Sequence, residues 1–291
     1  KFPQLPGTEF EKDDQGKYTG VVHGYTFTFI AMETMVPQLS PDEEVSSLVH
    51  TIHGLNRFGI TSAIDAGNRG YPKMQANVSV LARDNRLNVR MPFVDMQFGD
   101  GATPMNMVEA QIRAITKTAP ISPGHNLYPA LAHGHVYRGA GEVLCLEVHD
   151  HENFDRPAVI IEPEKMRQLV QRDVPKLVER RIPFRMHISY DENITPFLDA
   201  LEKLNEKMPL AGLRWSLEHA ETISPANIAR VKALGGGIAL DGKMALHADG
   251  FIKTHGREKA LLTPRLRQLV DSGIPLAMTT DAFRAATFNP W

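Results

Sequence analysis

From residue 40 onward the chain alternates short apolar runs with longer stretches of helical periodicity. Ser40-Pro41-Asp42-Glu43 carries a capping box with proline at the first helical position, and the amphipathic run 45–58 stops at Gly59. Apolar runs at 60–67, 87–96, 142–148, 183–189, 213–220, 236–240 and 274–281 predict seven strands. Helical patterns at 73–85, 104–117, 163–181, 193–207, 224–234 and 262–272 fall between them, and 241–260 reads as a polar loop. The strands are apolar on both faces, as in a parallel sheet with helices on one side and a filled interior on the other. Seven βα units in one chain predict an α/β fold of the TIM-type (β/α)-barrel kind. Such a barrel needs an eighth strand, and the alternation puts the gap before the helix at 41–58. Residues 18–30 supply that strand, or the chain lacks it.

The first forty residues are irregular, punctuated by Pro3, Pro6, Gly7, Asp13, Asp14 and Gly16. They read as an arm or a short hairpin, which divides the chain into an N-terminal segment 1–40 and a barrel domain 41–291. Gly235-Gly236-Gly237 reads as a helix stop plus close packing rather than a phosphate cradle, since no dinucleotide or P-loop motif is present.

With Lys plus Arg at 32 and Asp plus Glu at 34, the formal net charge is -2, which argues against a nucleic-acid binder. No apolar run reaches the ~18 residues of a membrane span. The single cysteine, Cys145, rules out an internal disulfide and reads as a small core residue. A cytoplasmic protein with a small-molecule substrate is the expectation. The first residue is Lys1, so the sequence is expected to start after processing or truncation.

Barrel active sites lie at the C-terminal ends of strands. The polar residues there are Asp65, Asp95, Glu147, His149, Asp150, His187, His219 and Asp281. Histidines with carboxylates are the ligand set of zinc and related divalent ions. His187 and His219 are one βα unit apart and Asp281 two further on, so equal strides bring all three to one rim. Two imidazoles on neighbouring strands can share an ion, and an aspartate can move the proton of a water that the ion acidifies. His50 and His53 read as surface residues. The His133-Gly134-His135 and His149-Asp150-His151 pairs are weaker ligand candidates.

His187-Ile188-Ser189-Tyr190-Asp191, Glu218-His219-Ala220 and Thr280-Asp281 resemble the strand-five, strand-six and strand-eight signatures of the metal-dependent amidohydrolase superfamily. The segments 59–67 and 216–236 are similar to its branch of N-substituted formamide deformylase-like proteins. The resemblance implies a (β/α)-barrel flanked by a small β-sandwich. It also implies hydrolysis of an amide or related C–N bond by a metal-activated water. His187 and His219 would bind a divalent metal, zinc first, and Asp281 would touch a metal and act as general base. A strand-four carboxylate, Glu142 or Glu147, would bridge. Strand one with its His-x-His ligands, and the sandwich, find no counterpart, so the chain reads as an internal portion of a longer enzyme holding at most one divalent ion. A non-catalytic fragment and a metal-free barrel lyase or isomerase are the alternatives. Glu218 is out of phase with the rim and is expected to face the helices. The open seam calls for a cover, either residues 18–30 or a second copy of the chain.

Overall fold

The computed structural model describes residues 9–23, 37–68, 77–78, 80–95, 137–142, 144, 150, 154–281 and 289. Two compact units result, residues 1–48 and 49–291. In the first, β1 (Glu9–Lys12) pairs antiparallel with β2 (Tyr18–His23). Asp13 fixes the turn by accepting the Gln15 and Lys17 amides at 3.0 and 2.9 Å. Residues 18–23 therefore belong to a hairpin, while 24–30 lie outside the described residues. Helix α1 (Pro41–Asn56) carries the unit boundary within it. Its capping box forms as the sequence predicts: the Ser40 amide donates to Glu43 Oε2 at 2.8 Å, and the Glu43 amide to Ser40 Oγ at 3.4 Å.

The second unit runs β3 (Asp65–Asn68), β4 (Phe93–Asp95), β5 (Tyr137–Ala140), α2 (Pro163–Asp173), α3 (Pro175–Glu179), β6 (Phe184–Ile188) and α4 (Asp191–Asn205). It continues β7 (Trp215–His219), α5 (Pro225–Ala233), β8 (Gly237–Asp241), α6 (Lys243–His255), α7 (Arg257–Leu261), α8 (Leu266–Ser272) and β9 (Leu276–Thr279). The seven strands form one all-parallel sheet in strictly sequential order, β3 to β9. A doubly wound sheet reverses its strand order at a switch point. Sequential winding without reversal is the arrangement of a TIM-type α/β barrel.

Alternate strand positions divide the work. Phe184, Met186, Ile188, Trp215, Leu217, Ile238 and Leu240 point one way and bury against Met166, Val170, Phe197, Leu201, Ile228, Val231 and Leu269 of the helices. The parallel register places Arg185 beside Ser216, His187 beside Glu218, and Asp241 beside Thr279 in the opposite phase. The apolar half of each strand thus holds the helices, leaving the other half for chemistry.

Four elements differ from their sequence reading. The strand between β4 and β6 is β5, upstream of the 142–148 run, of which 143 and 145–148 lie outside the described residues; the ladder continues past β5 to the Glu142 carbonyl, which accepts the His187 amide at 2.9 Å. β5 lacks an apolar signature because it must be bare: a Cβ on Gly139 would stand 2.3 Å from the Pro183 carbonyl oxygen, and one on Gly141 2.8 Å from Arg185 Cβ. Asp65 opens β3 instead of closing it. The helix at 163–181 breaks into α2 and α3 where Pro175 cannot donate a backbone hydrogen bond. The polar loop at 241–260 is instead α6 and α7, with Lys243, Met244 and Phe251 buried.

The glycine run acts as the sequence suggests. Gly235 takes a left-handed φ of 72° just beyond the end of α5, and a Cβ on Gly236 would meet the Trp215 indole at 2.4 Å. Gly236→Ala is expected to destabilise the protein by about 1–3 kcal/mol through overpacking, read by urea denaturation. A change under about 0.5 kcal/mol would mean that the indole is free to shift.

Candidate metal centre

β6 places His187 on the same side as Arg185, and β7 places Glu218 beside it. Arg185 Nη1 donates to Glu218 Oε1 at 3.1 Å and Ser216 Oγ donates to the same oxygen at 2.7 Å. Glu218 therefore shares the phase of His187, which corrects the expectation that it faces the helices. Strict alternation would then send His219 to the helix side with Leu217. It does not go there, because His219 and Ala220 adopt left-handed φ values of 74° and 52°. That break turns the His219 ring back toward His187. Such conformations cost about 1–3 kcal/mol each in a non-glycine residue. Backbone bonds from Ala220 to Ile188 (2.9 Å) and from Thr222 to Ser189 (3.1 Å) hold them.

The two imidazoles lie with ring centroids 4.1 Å apart. Glu142 Oε1 sits 2.8 Å from His187 Nδ1 and 2.8 Å from His219 Nε2. On the far side of His219, Nδ1 meets Asp241 Oδ2 at 3.0 Å, with Glu221 Oε1 at 3.6 Å. Asp241 and Glu221 are buried, and neither Glu221 oxygen has a hydrogen-bond partner among the described residues.

Burial by itself would raise the Glu142 carboxyl, but hydrogen bonds to His187 and His219 hold it well below the usual carboxylate range. Burial would lower His219, yet Asp241, Glu142 and Glu221 together raise it well above an ordinary histidine. Burial pushes Glu221 up. A buried site with a carboxylate at each nitrogen of one imidazole attracts positive charge strongly. Glu142, His187 and His219 offer three ligand atoms within 4.8 Å of one another, as do His219, Glu221 and Asp241. The donor types of the first cluster, one carboxylate and two imidazoles, fit a divalent cation. Held by Glu142, His187 and His219, it would leave Asp241 to orient His219 through Nδ1, the common carboxylate–histidine–metal relay.

The structure thus brings together Glu142, His187 and His219 of the sequence candidates. Asp281 lies elsewhere on the rim, bonded to Lys243 Nζ. Lys243 Nζ is in turn 3.6 Å from Asp241 Oδ2. Glu147, His149, His133, His135 and His151 lie outside the described residues. Sequence reasoning missed Asp241, Glu221 and Lys243. Asp241 had a usable signal: it closes β8 as the other candidates close theirs, one residue beyond the predicted end of that strand.

A family profile described as "Amidohydrolase family" matches residues 2–291, and the chain belongs to that family. No curated protein matches the chain. Among solved structures, an uncharacterized metal-dependent hydrolase from Pyrococcus horikoshii OT3 aligns over 97% of this chain and 54% of its own, at 14% identity and TM-score 0.59. An atrazine chlorohydrolase, TrzN, from Arthrobacter aurescens TC1, complexed with zinc, aligns over 91% of this chain and 54% of its own, at 15% identity and TM-score 0.52. Guanine deaminase from C. acetobutylicum aligns over 91% and 55%, at 14% identity and TM-score 0.51. At such identities the likeness concerns the fold, and the chain spans about half the length of these structures.

Asp150 is held at the N-terminal end of α4. It is 1% exposed, and its Oδ2 accepts the Tyr190 amide at 3.2 Å and Asn193 Nδ2 at 3.0 Å. Burial raises its carboxyl from 3.8 to about 6. The folded state therefore keeps a proton that the unfolded chain releases, and stability falls as pH rises from about 4 to about 6. The penalty is complete above about pH 6 and absent below about pH 4. Asp150→Asn removes it, so urea denaturation should find the variant about 1–3 kcal/mol more stable at pH 8 and no more stable at pH 4. An equal difference at both pH values would show that Asp150 does not titrate in this range.

Proposed function

We propose, from its membership of the amidohydrolase family, that this chain hydrolyses an amide or related non-peptide C–N bond of a small molecule. The reaction would use a divalent cation held by Glu142, His187 and His219. One observation carries the reading: a single buried carboxylate oxygen, Glu142 Oε1, lies 2.8 Å from an imidazole nitrogen of each of two adjacent strands. Zinc is the first choice of ion, supported by the donor set and by the zinc bound to a structural neighbour. When bound, it would supply Lewis acidity at the scissile carbonyl and toward the attacking water.

The chain's own residues do the rest. Asp241 fixes the His219 ring so that Nε2 points to the cation. Asp281 takes the proton from the attacking water and returns it to the leaving nitrogen. Glu147 is a second carboxylate candidate from the segment after Glu142. An N-substituted formamide is the substrate class suggested by the sequence resemblance. Neither nucleic acid nor membrane is a partner in this reading. Among the described residues no helix is long and apolar enough to cross a membrane. A second copy of the chain is the proposed cover for an open seam, and the cytoplasm the proposed compartment.

The test is metal analysis with a panel of N-substituted formamides and N-acyl amines. Wild-type protein should retain a divalent ion through dialysis. His187→Ala and His219→Ala should each lose it, and turnover should fall by about three orders of magnitude. Chelation should abolish turnover and zinc restore it. Unchanged metal content in both variants would refute the ligand assignment.

A further inference from the structure

The function proposed above gives Asp281 the role of base, while the family resemblance makes it a metal ligand as well. Its surroundings separate the two roles. Asp281 Oδ2 is bonded to Lys243 Nζ, and the lysine side chain is only 5% exposed, against 29% for Asp281. A lysine is rarely buried this deeply without a negative partner. The turn from β8 into α6 fixes its place: the Lys243 amide donates to Asp241 Oδ1 at 2.8 Å, and Lys243 Nζ stands 3.6 Å from Asp241 Oδ2. Asp241 Oδ2 in turn lies 3.0 Å from His219 Nδ1. A continuous run of charges therefore goes from Asp281 through Lys243 and Asp241 to His219. The lysine ammonium sits between two carboxylates, the place where a second cation would otherwise be drawn.

We propose that Lys243 is a positioning residue that holds the Asp281 carboxylate away from the cation, so that Asp281 acts as a base and not as a ligand. The proposal rests on the reading that Glu142, His187 and His219 hold the ion. Its geometry explains why the described residues form a ligand cluster around His219 that leaves Asp281 out. Lys243 also compensates the charge of Asp281, so the centre needs a single divalent ion.

Calorimetric titration with Zn²⁺ alone, backed by metal analysis, tests this on the whole chain. Wild type should bind one equivalent. Asp281→Asn should bind it with an affinity within threefold of wild type, and any greater loss would make Asp281 a ligand and overturn the proposal. Lys243→Met should release Asp281 and either bind Zn²⁺ at least threefold more tightly or take up a second equivalent. Lys243→Arg, which keeps the charge, should behave as wild type. A Lys243→Met protein that titrates like wild type, or a wild type with two equivalents, overturns the proposal while leaving the metal reading intact. Should Lys243→Met not fold, Asp281→Asn and the wild-type stoichiometry still decide. A wild type that binds no Zn²⁺ defeats the metal reading itself, and the proposal with it.

Discussion

One carboxylate oxygen ties three strands together at the rim. Glu142 Oε1, just past β5, faces His187 from β6 and His219 from β7, each at 2.8 Å. Two buried imidazoles with centroids 4.1 Å apart would be costly without it, because a buried ring nitrogen left without a partner forfeits the hydrogen bond that water would have supplied. Removing one partner of a buried ionic group typically costs about 3–5 kcal/mol, most of it from the charge left behind. The alignment of β5, β6 and β7 therefore serves an electrostatic requirement as much as a hydrogen-bonding one. The same atoms belong to a cluster whose ligand atoms lie within 4.8 Å of one another, a donor set of the kind that divalent cations take.

The scaffold behind the rim is built to keep those strand ends fixed. Asp191 opens α4 and reaches across to the next unit, where its Oδ1 accepts the Ser224 amide at 2.7 Å and Asn227 Nδ2 at 2.8 Å. Thr222 Oγ1 accepts the Asp191 amide at 2.8 Å. The loops after β6 and β7, which carry His187 and His219, are thus bonded to each other and not only to their own helices. Beneath them Phe184 stacks on Trp215 at 5.9 Å and locks the two strands from the helix side. Apolar packing supplies stability on one face, and the polar face is free to carry charges that stability alone would not select.

The sequence made the helix-facing half of this arrangement legible. Alternation of apolar runs with capped amphipathic stretches revealed the parallel sheet, and the stride from His187 to His219 pointed to two imidazoles on neighbouring strands, whose rings lie 4.1 Å apart. What escaped was whatever depended on backbone detail. β5 was invisible because Gly139 within it and Gly141 just past it are required by close approach to Pro183 and Arg185, so the stretch carries no apolar signature. Glu218 was assigned to the wrong face because alternation was carried through His219, where a left-handed residue breaks it. α6 was hidden because its polar residues include Lys243, which is buried for a charge and not for packing. Each miss occurs where local pattern yields to a contact made elsewhere in the chain.

The distribution of strained backbone supports the same division. Five non-glycine residues have positive φ among those described: Asn85, Arg181, His219, Ala220 and Asp281. Asn85 and Arg181 follow helical turns, where a left-handed residue closes the last turn at little cost. The other three have no helix to end. They stand at or just past the ends of β7 and β9, and two of them are the residues whose side chains face the charge cluster. Folding alone would favour glycine or an extended residue at those places. That histidine and aspartate hold them indicates that the conformation serves the direction of the side chain. Backbone strain thus coincides with charged side chains at the strand ends, on the rim where barrel chemistry occurs.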